Sequence, residues 1–208
     1  KTNTDKLDFF KTDLNKHNIE VLPPDINKSD VNFTVENGKV RYALSAVKNV
    51  GEAAMKVIVE ERSKNGPFKS LEDFLTRVDV SALNKRYLEN LARSGAFECL
   101  DHNRKKLYTN VEAMISYAAD ATASKKSAQI GLFGMDPSVT KLKLTSCADW
   151  PYVERLENEK EALGFYLSAH PLDAYNAILE RLRVISSNDV ADMVNLSGAT
   201  RVSMAGIV

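Results

Sequence analysis

The sequence predicts a mainly α-helical protein with one small β-hairpin and a linker late in the chain. Apolar residues recur at helical spacing through most of the 208 residues. The Asn37-Gly38 pair separates two short stretches of alternating apolar residues, which is a strong short-range signal for a β-hairpin. Residues 124–150 are instead rich in Ser, Lys, Gly, Pro and Thr, which indicates a linker.

The composition excludes several classes of protein. Apolar residues make up 44% of the chain, enough for a hydrophobic core, and a charged fraction of 27% is not that of a disordered tail. The net charge is zero, so any contact with nucleic acid must come from a local patch or from backbone amides. No apolar run is long enough to span a membrane, and no signal peptide opens the chain.

The two cysteines and the chain ends carry weaker signals. Cys99 and Cys147 lack the spacing of metal ligands, and we expect buried or incidental thiols in a reducing cytosol. Lys1 stands where an initiator Met would stand, and an apolar, strand-like run ends at Val208. Both ends suggest a fragment of a longer protein.

Residues 1–43 are expected to hold a helix and then the β-hairpin. The helix covers about residues 1–20, with an apolar stripe formed by Leu7, Phe10 and Leu14. Pro23 and Pro24 stop it, because proline cannot continue a helix. The strands of the β-hairpin follow at residues 31–35 and 39–42.

Residues 44–123 are expected to be helical, and they contain two loosely similar helix-turn-helix units. The helices are interrupted by Gly- or Pro-containing stretches and a polar break, at residues 65–67, 78–79 and 94–95.

Helices should resume after the linker, over residues 151–200. The first begins at about Pro151, a favourable first helical residue, with an apolar stripe of Val153, Leu156, Leu163 and Leu167. Further helices are expected at about 173–183 and 186–194. Alternating apolar residues at 201–208 predict the first strand of a further structure.

The first candidate binding site is the turn Lys48-Asn49-Val50-Gly51-Glu52. A tight turn here leaves the amides of Gly51, Glu52 and Ala53 without partners at a helix N-terminus, where a phosphate can bind. Gly51 permits close approach of a sugar-phosphate backbone, Asn49 tolerates a left-handed conformation, and Lys48 adds positive charge. The alternative is a helix connector that binds no ligand.

A second unit adds basic residues to this site. A helix that carries Lys85 and Arg86 leads to a turn at Ser94-Gly95-Ala96, and a basic helix start follows at Arg104-Lys105-Lys106. Two such units can hold two phosphates of one duplex, which predicts weak binding without sequence preference. The alternative is that these basic side chains form a solvated surface.

A short apolar peptide in the linker is the second candidate site. Leu132 and Phe133 are adjacent large apolar residues in a polar stretch, with Gln129 three residues ahead of Leu132. An exposed pair of this kind is typical of a contact with a partner protein. Burial of both side chains would contribute roughly 3–6 kcal/mol before ordering costs. The alternative is that the pair packs on neighbouring helices of the same chain.

No catalytic constellation is found. Phosphoryl transfer with two metal ions needs paired carboxylates, and no Asp-x-Asp lies on a predicted strand. The run Glu157, Glu159 and Glu161 lies on a helix and is expected to form a solvated face. The three histidines, at positions 17, 102 and 170, are isolated. This chain should be catalytically inactive by itself, and no cofactor is expected in it.

Six stretches of the chain, together with the Gln129, Leu132 and Phe133 motif, carry a family resemblance. They are residues 21–29, 46–52, 66–74, 83–86, 94–97 and 159–173. In the same order, and over nearly the whole chain, they resemble the replicative DNA polymerase III alpha subunits of bacteria.

The resemblance implies an order of parts. The end of a fingers region comes first, then a tandem helix-hairpin-helix DNA-binding domain, a linker with an internal clamp-binding motif, a helical connector and the first strand of a truncated OB-fold. The corresponding ranges are 1–43, 44–123, 124–150, 151–200 and 201–208.

The resemblance also implies partners. The turn at Gly51 would contact the backbone of the primer-template duplex, while Gln129, Leu132 and Phe133 would fill the groove of the β sliding clamp. The catalytic carboxylates and their Mg²⁺ would lie upstream, in the full-length DNA polymerase, a nucleotidyltransferase. Other replisome subunits would be further partners, in the cytoplasm.

Two departures from the family pattern affect these expectations. Asn49 stands where helix-hairpin-helix motifs often carry glycine, and the second turn, at residues 94–96, is degenerate, so DNA contact there is the weaker expectation. The alternative function is a stand-alone helix-hairpin-helix scaffold of repair or recombination. The native mass separates the two, because a polymerase subunit must far exceed 23.1 kDa.

Overall fold

The computed structural model describes residues 4–130, 141–185, 190 and 202–206. The chain divides into two compact units, Lys1–Ser168 and Ala169–Val208. Leu132 and Phe133 lie outside the described residues, as does most of the helix expected at 186–194. A small sheet and seven α-helices in the described part of the first unit confirm the mainly α-helical prediction.

Helix α1 (Thr4–Lys16) precedes a three-stranded sheet. The strands are β1 (Val21–Leu22), β2 (Thr34–Glu36) and β3 (Lys39–Arg41), in the order β1-β3-β2, with β1 parallel and β2 antiparallel to β3. Asn37 and Gly38 both have positive φ, at 52° and 77°, as a two-residue hairpin turn requires. The β-hairpin prediction is confirmed, with shorter strands. Sequence patterning missed β1 because two residues show no alternation.

Helices α2 to α6 form the main body. A 3₁₀ turn (Leu44–Ala46) leads to α2 (Glu52–Asn65), and α3 (Leu71–Arg77) follows. After the 3₁₀ turn Val80–Ala82 come α4 (Lys85–Arg93), α5 (Arg104–Thr109) and α6 (Val111–Ile130). Helices α3, α4 and α5 each begin after a polar N-cap residue whose side chain accepts from a backbone amide of the first turn. These N-cap residues are Ser70, Asn84 and Asn103.

The core of this body is aromatic. Phe74 is fully buried and makes edge-on contacts with the rings of Phe68 and Phe97, at centroid distances of 5.1 and 5.2 Å. Such pairs contribute beyond simple area burial. The breaks at 65–67 and 78–79 fall between helices as predicted, and Gly66 has a positive φ of 82°.

The predicted linker is only partly a linker. Helix α6 continues to Ile130 rather than ending near residue 123. Residues 141–150 have no regular structure, but their backbone is tied to α5 and to the residues that flank it. Asn110 bonds Thr145 in both directions, at 2.8 and 3.0 Å, and Asn103 donates to the carbonyl of Cys147 at 2.7 Å. We call residues 141–150 the strap. The composition of residues 124–150 concealed the strap, because most of its anchors are backbone groups that any residue type carries.

Helix α7 (Tyr152–Leu163) follows the strap and ends at Gly164, whose φ of 96° is left-handed. The predicted apolar stripe is correct for Leu156, Leu163 and Leu167, which are buried. Val153 was placed wrongly, because it is 45% exposed.

The second unit begins with a 3₁₀ helix (Pro171–Tyr175) and α8 (Asn176–Arg181), which together replace the single helix predicted at 173–183. His170 caps the first of these: its Nδ1 accepts from the amide of Leu172, and its own amide donates to the carboxylate of Asp173. Over the described residues 202–206 no strand is assigned, although Ser203 accepts a backbone bond from Ile185. The OB-fold strand stays a prediction.

Candidate nucleic-acid interface

The first hairpin, which we define as residues 47–51, joins the 3₁₀ turn at Leu44–Ala46 to α2. Val47 and Val50 are buried and anchor it, while Asn49 between them is exposed. Asn49 has a φ of 59°, in the left-handed region where asparagine is tolerated. The structure therefore confirms the conformation expected for this residue.

The first hairpin leaves a helix N-terminus open. Gly51 is the N-cap of α2, and no side chain caps the helix. Among the described residues, no acceptor satisfies the amides of Gly51, Glu52 and Ala53. Three donors at the positive end of a 14-residue helix form an arrangement that suits a phosphate.

Gly51 also meets α4. A Cβ atom added to Gly51 would lie 2.9 Å from the hydroxyl oxygen of Tyr87, so the phenol limits the size of residue 51. The φ of Gly51 is −82°, which any residue can adopt, so space rather than backbone conformation explains the glycine. This contact brings the first turn of α4, which carries Lys85 and Arg86, beside the first hairpin.

The basic residues near the first hairpin differ in their availability. Arg86 is exposed, and neither Arg86 nor Lys48 has an acidic partner within the described part of the chain. Lys85 pairs with Glu112 at 2.6 Å, and the hydrogen bond and charge of Glu112 raise the pKa of Lys85. Both side chains of this pair are exposed, so the pair contributes little to stability and can exchange partners.

Acidic charge at the mouth of the hairpin is compensated. Glu52 lies one residue after Gly51 and pairs with Lys56 at 2.7 Å. The hydrogen bond and charge of Lys56 lower the pKa of Glu52. A phosphate that approaches the open amides therefore meets a neutralised carboxylate.

Helix α7 supports the first hairpin from the other side. The amide of Lys48 donates to the carbonyl of Ala162 at 2.8 Å, and Ala162 is fully buried. The backbone of the hairpin is therefore fixed while the side chain of Lys48 is left for other contacts.

The second hairpin, residues 94–96, has the opposite character. Gly95 has a φ of 82°, and Ser94 and Ala96 are fully buried. All three amides donate within the protein, to the carbonyls of Asn90, Ala92 and Leu91. The second hairpin thus presents no free amide donors to a phosphate.

Arg104 occupies the space above the second hairpin. One of its guanidinium nitrogens lies 2.4 Å from the position of a Cβ on Gly95, and another donates to the carbonyl of Arg93 at 3.1 Å. Arg104 pairs with Glu98 at 2.7 Å and with Glu159 at 3.4 Å, and it is 3% exposed. Both readings of Arg104, as a DNA contact or as part of a solvated surface, were wrong.

The neighbours of Arg104 are engaged as well. Lys106 pairs with Asp101, and the backbone amide of Lys105 donates to Asp149 of the strap at 2.9 Å. The charges of Arg104 and Lys106 are therefore paired within the protein, whereas Lys105 is engaged through its backbone amide.

Glu159 is a second correction. It was expected on a solvated face with Glu157 and Glu161, yet it is 1% exposed. The carboxylate accepts from the amides of Leu167 and Ser168, each at 2.8 Å, and from the hydroxyl of Ser168 at 2.7 Å. The sequence carried a signal, because position 159 lies three residues after Leu156 and four before Leu163, on the apolar stripe.

The structure describes only part of the predicted clamp-binding motif. Gln129 lies in the last turn of α6, but its side chain is not described, and Leu132 and Phe133 are outside the described residues. Within the described residues no group of three or more His, Cys, Asp or Glu could hold a metal ion. No helix in the described residues is both long and apolar enough to cross a membrane.

The fold and the first hairpin define a helix-hairpin-helix protein, and a family model described as "Helix-hairpin-helix motif" matches residues 18–107. The similarity to curated proteins extends over the whole chain. DNA polymerase III subunit alpha of Caulobacter vibrioides is 40% identical over 207 residues, which is 100% of this chain and 18% of that protein. The subunit of Borreliella burgdorferi is 39% identical over 86% of the chain, and that of Thermus aquaticus 36% over 99%; the matches cover 16% of each protein.

The chain belongs to the DNA polymerase III alpha subunit family, as predicted from the sequence, and it spans less than a fifth of the length of these relatives. Because the similarity continues on both sides of residues 18–107, it favours the polymerase over a stand-alone helix-hairpin-helix scaffold.

Proposed function

We propose that this segment binds the backbone of duplex DNA through the first hairpin, without sequence preference. In this proposal it also docks the β sliding clamp through Gln129, Leu132 and Phe133. The full-length protein would carry out template-directed DNA synthesis with Mg²⁺, together with other replisome subunits in the cytoplasm. This segment would bind the duplex and the clamp, and the catalytic residues would lie elsewhere in the full-length protein.

One observation carries the DNA-binding part of the proposal. The unsatisfied amides at the N-terminus of α2 lie in a segment that matches a helix-hairpin-helix model, and the contact of Tyr87 with Gly51 brings the first turn of α4, which carries Arg86, near them. Amides approach a phosphate without regard to base sequence, and such contacts position a duplex rather than read it. Because the second hairpin offers no free amides, the cationic contacts proposed for the site are those beside the first hairpin, Lys48, Lys85 and Arg86.

The number of contacts sets the salt dependence. Each neutralised phosphate adds about 0.9 to the slope of log affinity against log salt, so two or three contacts predict a slope of about −2 to −3. Lys48→Ala should lower the magnitude of that slope by about 0.9. The measurement is fluorescence anisotropy of a labelled duplex at several salt concentrations.

Lys64→Ala is the matched control. Lys64 is exposed in the last turn of the same helix, so its removal changes the net charge equally but at the opposite end of α2. It should leave the slope unchanged. Equal slopes for wild type and Lys48→Ala would remove the first hairpin from the DNA site.

The clamp-docking part rests on the sequence motif and the family. Leu132→Ala combined with Phe133→Ala should abolish binding of purified β clamp, because two apolar side chains contribute most of the affinity of such a peptide. Isothermal titration calorimetry measures the affinity of each variant for the clamp.

The control for this double change is Tyr152→Ala with Val153→Ala. These residues form another adjacent exposed apolar pair, 53% and 45% exposed, at the start of α7. This pair should leave clamp binding intact. Undiminished binding by the Leu132, Phe133 variant would refute the motif assignment.

A further inference from the structure

One backbone hydrogen bond ties the first hairpin to the C-terminal turn of α7. The amide of Lys48 donates to Ala162, immediately before the left-handed Asn49. Ala162 and Val47 are both buried in the same core. The position of the end of α7 is therefore built into the geometry of the hairpin.

Glu159 determines how that end is held. It lies three residues before Ala162, and its carboxylate accepts from the amides of Leu167 and Ser168, which return over the end of α7 after Gly164. Ser168 donates a third bond through its hydroxyl, and Arg104, above the second hairpin, supplies the opposite charge. One carboxylate thus joins the second hairpin, α7 and the chain that follows it.

We propose that Glu159 is a positioning residue for the first hairpin, and that the duplex-binding unit extends through residue 168, well beyond residues 18–107. The proposal rests on the proposed role of the first hairpin. Glu159 does not touch DNA; it acts by fixing the carbonyl of Ala162, which in turn fixes the amide of Lys48.

The chemistry of the site supports orientation rather than simple packing as the role of Glu159. An apolar side chain would fill the same volume without the cost of desolvating a charge. A carboxylate with several donors fixes direction, because charge-assisted hydrogen bonds are short and directional. The same helix provides the contrast, since Glu157 is exposed.

The test compares Glu159→Gln with Glu157→Gln in the full chain. Each change removes one negative charge from α7. By electrostatics alone both would raise the affinity for a polyanion slightly. A lower duplex affinity of Glu159→Gln could therefore not be explained by the loss of a negative charge.

Two readouts are expected to move together. Duplex affinity of Glu159→Gln should fall about tenfold relative to Glu157→Gln, with an unchanged salt slope, because no cationic contact is lost. Hydrogen exchange at the Lys48 amide should quicken by about tenfold, as its bond to Ala162 loosens. Exchange at the amide of Ile58, in the middle of α2, should quicken less than at Lys48, because a general loss of stability alone would quicken both equally.

Equal affinity and equal Lys48 exchange in the two variants would overturn the proposal. Faster Lys48 exchange with unchanged affinity would also overturn it, because the hairpin would then not need positioning. If Glu159→Gln does not fold, Ser168→Ala removes only the hydroxyl bond to Glu159, and the same two readouts apply. Failure of wild type to bind duplex would refute the proposed function, while the exchange measurement would still decide whether Glu159 positions Lys48.

Discussion

The two hairpins of the helix-hairpin-helix unit follow a similar local plan and reach opposite states. In the first, the amides at the start of α2 are open and Asn49 is exposed. In the second, every amide is used internally and Arg104 covers the glycine. The difference shows that a glycine turn between helices offers donors to an anion only where its amides are left unsatisfied.

The largest expected effect concerns Arg104. Arg104→Ala leaves the buried carboxylate of Glu159 without its counter-charge, and breaking a buried pair in this way costs about 3–5 kcal/mol of unfolding free energy. Urea denaturation measures the free energy of unfolding of Arg104→Ala and of wild type. The slope of duplex affinity against salt should not change, because Arg104 is not a DNA contact.

Arg86→Ala is the counterpart on the first hairpin. It should leave the unfolding free energy within about 0.5 kcal/mol and lower the magnitude of the salt slope by about 0.9. Equal losses of unfolding free energy, or equal changes in salt slope, for Arg86→Ala and Arg104→Ala would contradict the distinction between an open first hairpin and a closed second hairpin.

The second prediction compares the two glycines. Gly95→Ala should cost about 2–4 kcal/mol, because its positive φ is unfavourable for alanine and the new Cβ would displace the buried Arg104. Gly51→Ala should cost no more than about 1 kcal/mol, because its φ is ordinary and only the tip of Tyr87 must move. Thermal denaturation followed by circular dichroism gives both values. A larger cost at Gly51 would contradict the geometry of both hairpins.

The smallest expected effect concerns Glu112. Glu112→Gln releases Lys85 from its exposed ion pair, so duplex affinity should rise by about twofold in low salt, with no change in melting temperature. Glu154→Gln removes the same charge from an exposed position at the start of α7 and serves as the control. A rise no larger than that of Glu154→Gln would show that Lys85 does not contact the duplex.

Much of the fold could be predicted from local sequence. The β-hairpin at Asn37-Gly38, the breaks between helices and the conformation of Asn49 depend on residues close in the chain. The parallel partner of β3 was not predictable, because a two-residue strand is stabilised by its neighbours rather than by its own pattern.

The uses of individual charges were harder to predict. Arg104 and Glu159 are 55 residues apart, so although the apolar stripe of α7 points to the burial of Glu159, nothing local indicates its ion pair with Arg104. The strap was predicted to be a linker for the same reason, since its backbone carbonyls accept from the side chains of Asn103 and Asn110, which lie 44 and 35 residues away in the chain. Composition indicates whether a segment tends by itself to form a helix, a strand or a loop. The contacts of Arg104, Glu159 and the strap join residues that meet only in the folded chain.

Trp150, at the end of the strap, gives this arrangement a spectroscopic consequence. It is the single tryptophan of the chain, it is 7% exposed, and its ring lies 5.5 Å from that of Tyr108. Its emission therefore reports whether the strap is seated on α5. A red shift in tryptophan fluorescence that precedes the loss of helical signal during denaturation would reveal release of the strap as a separate step.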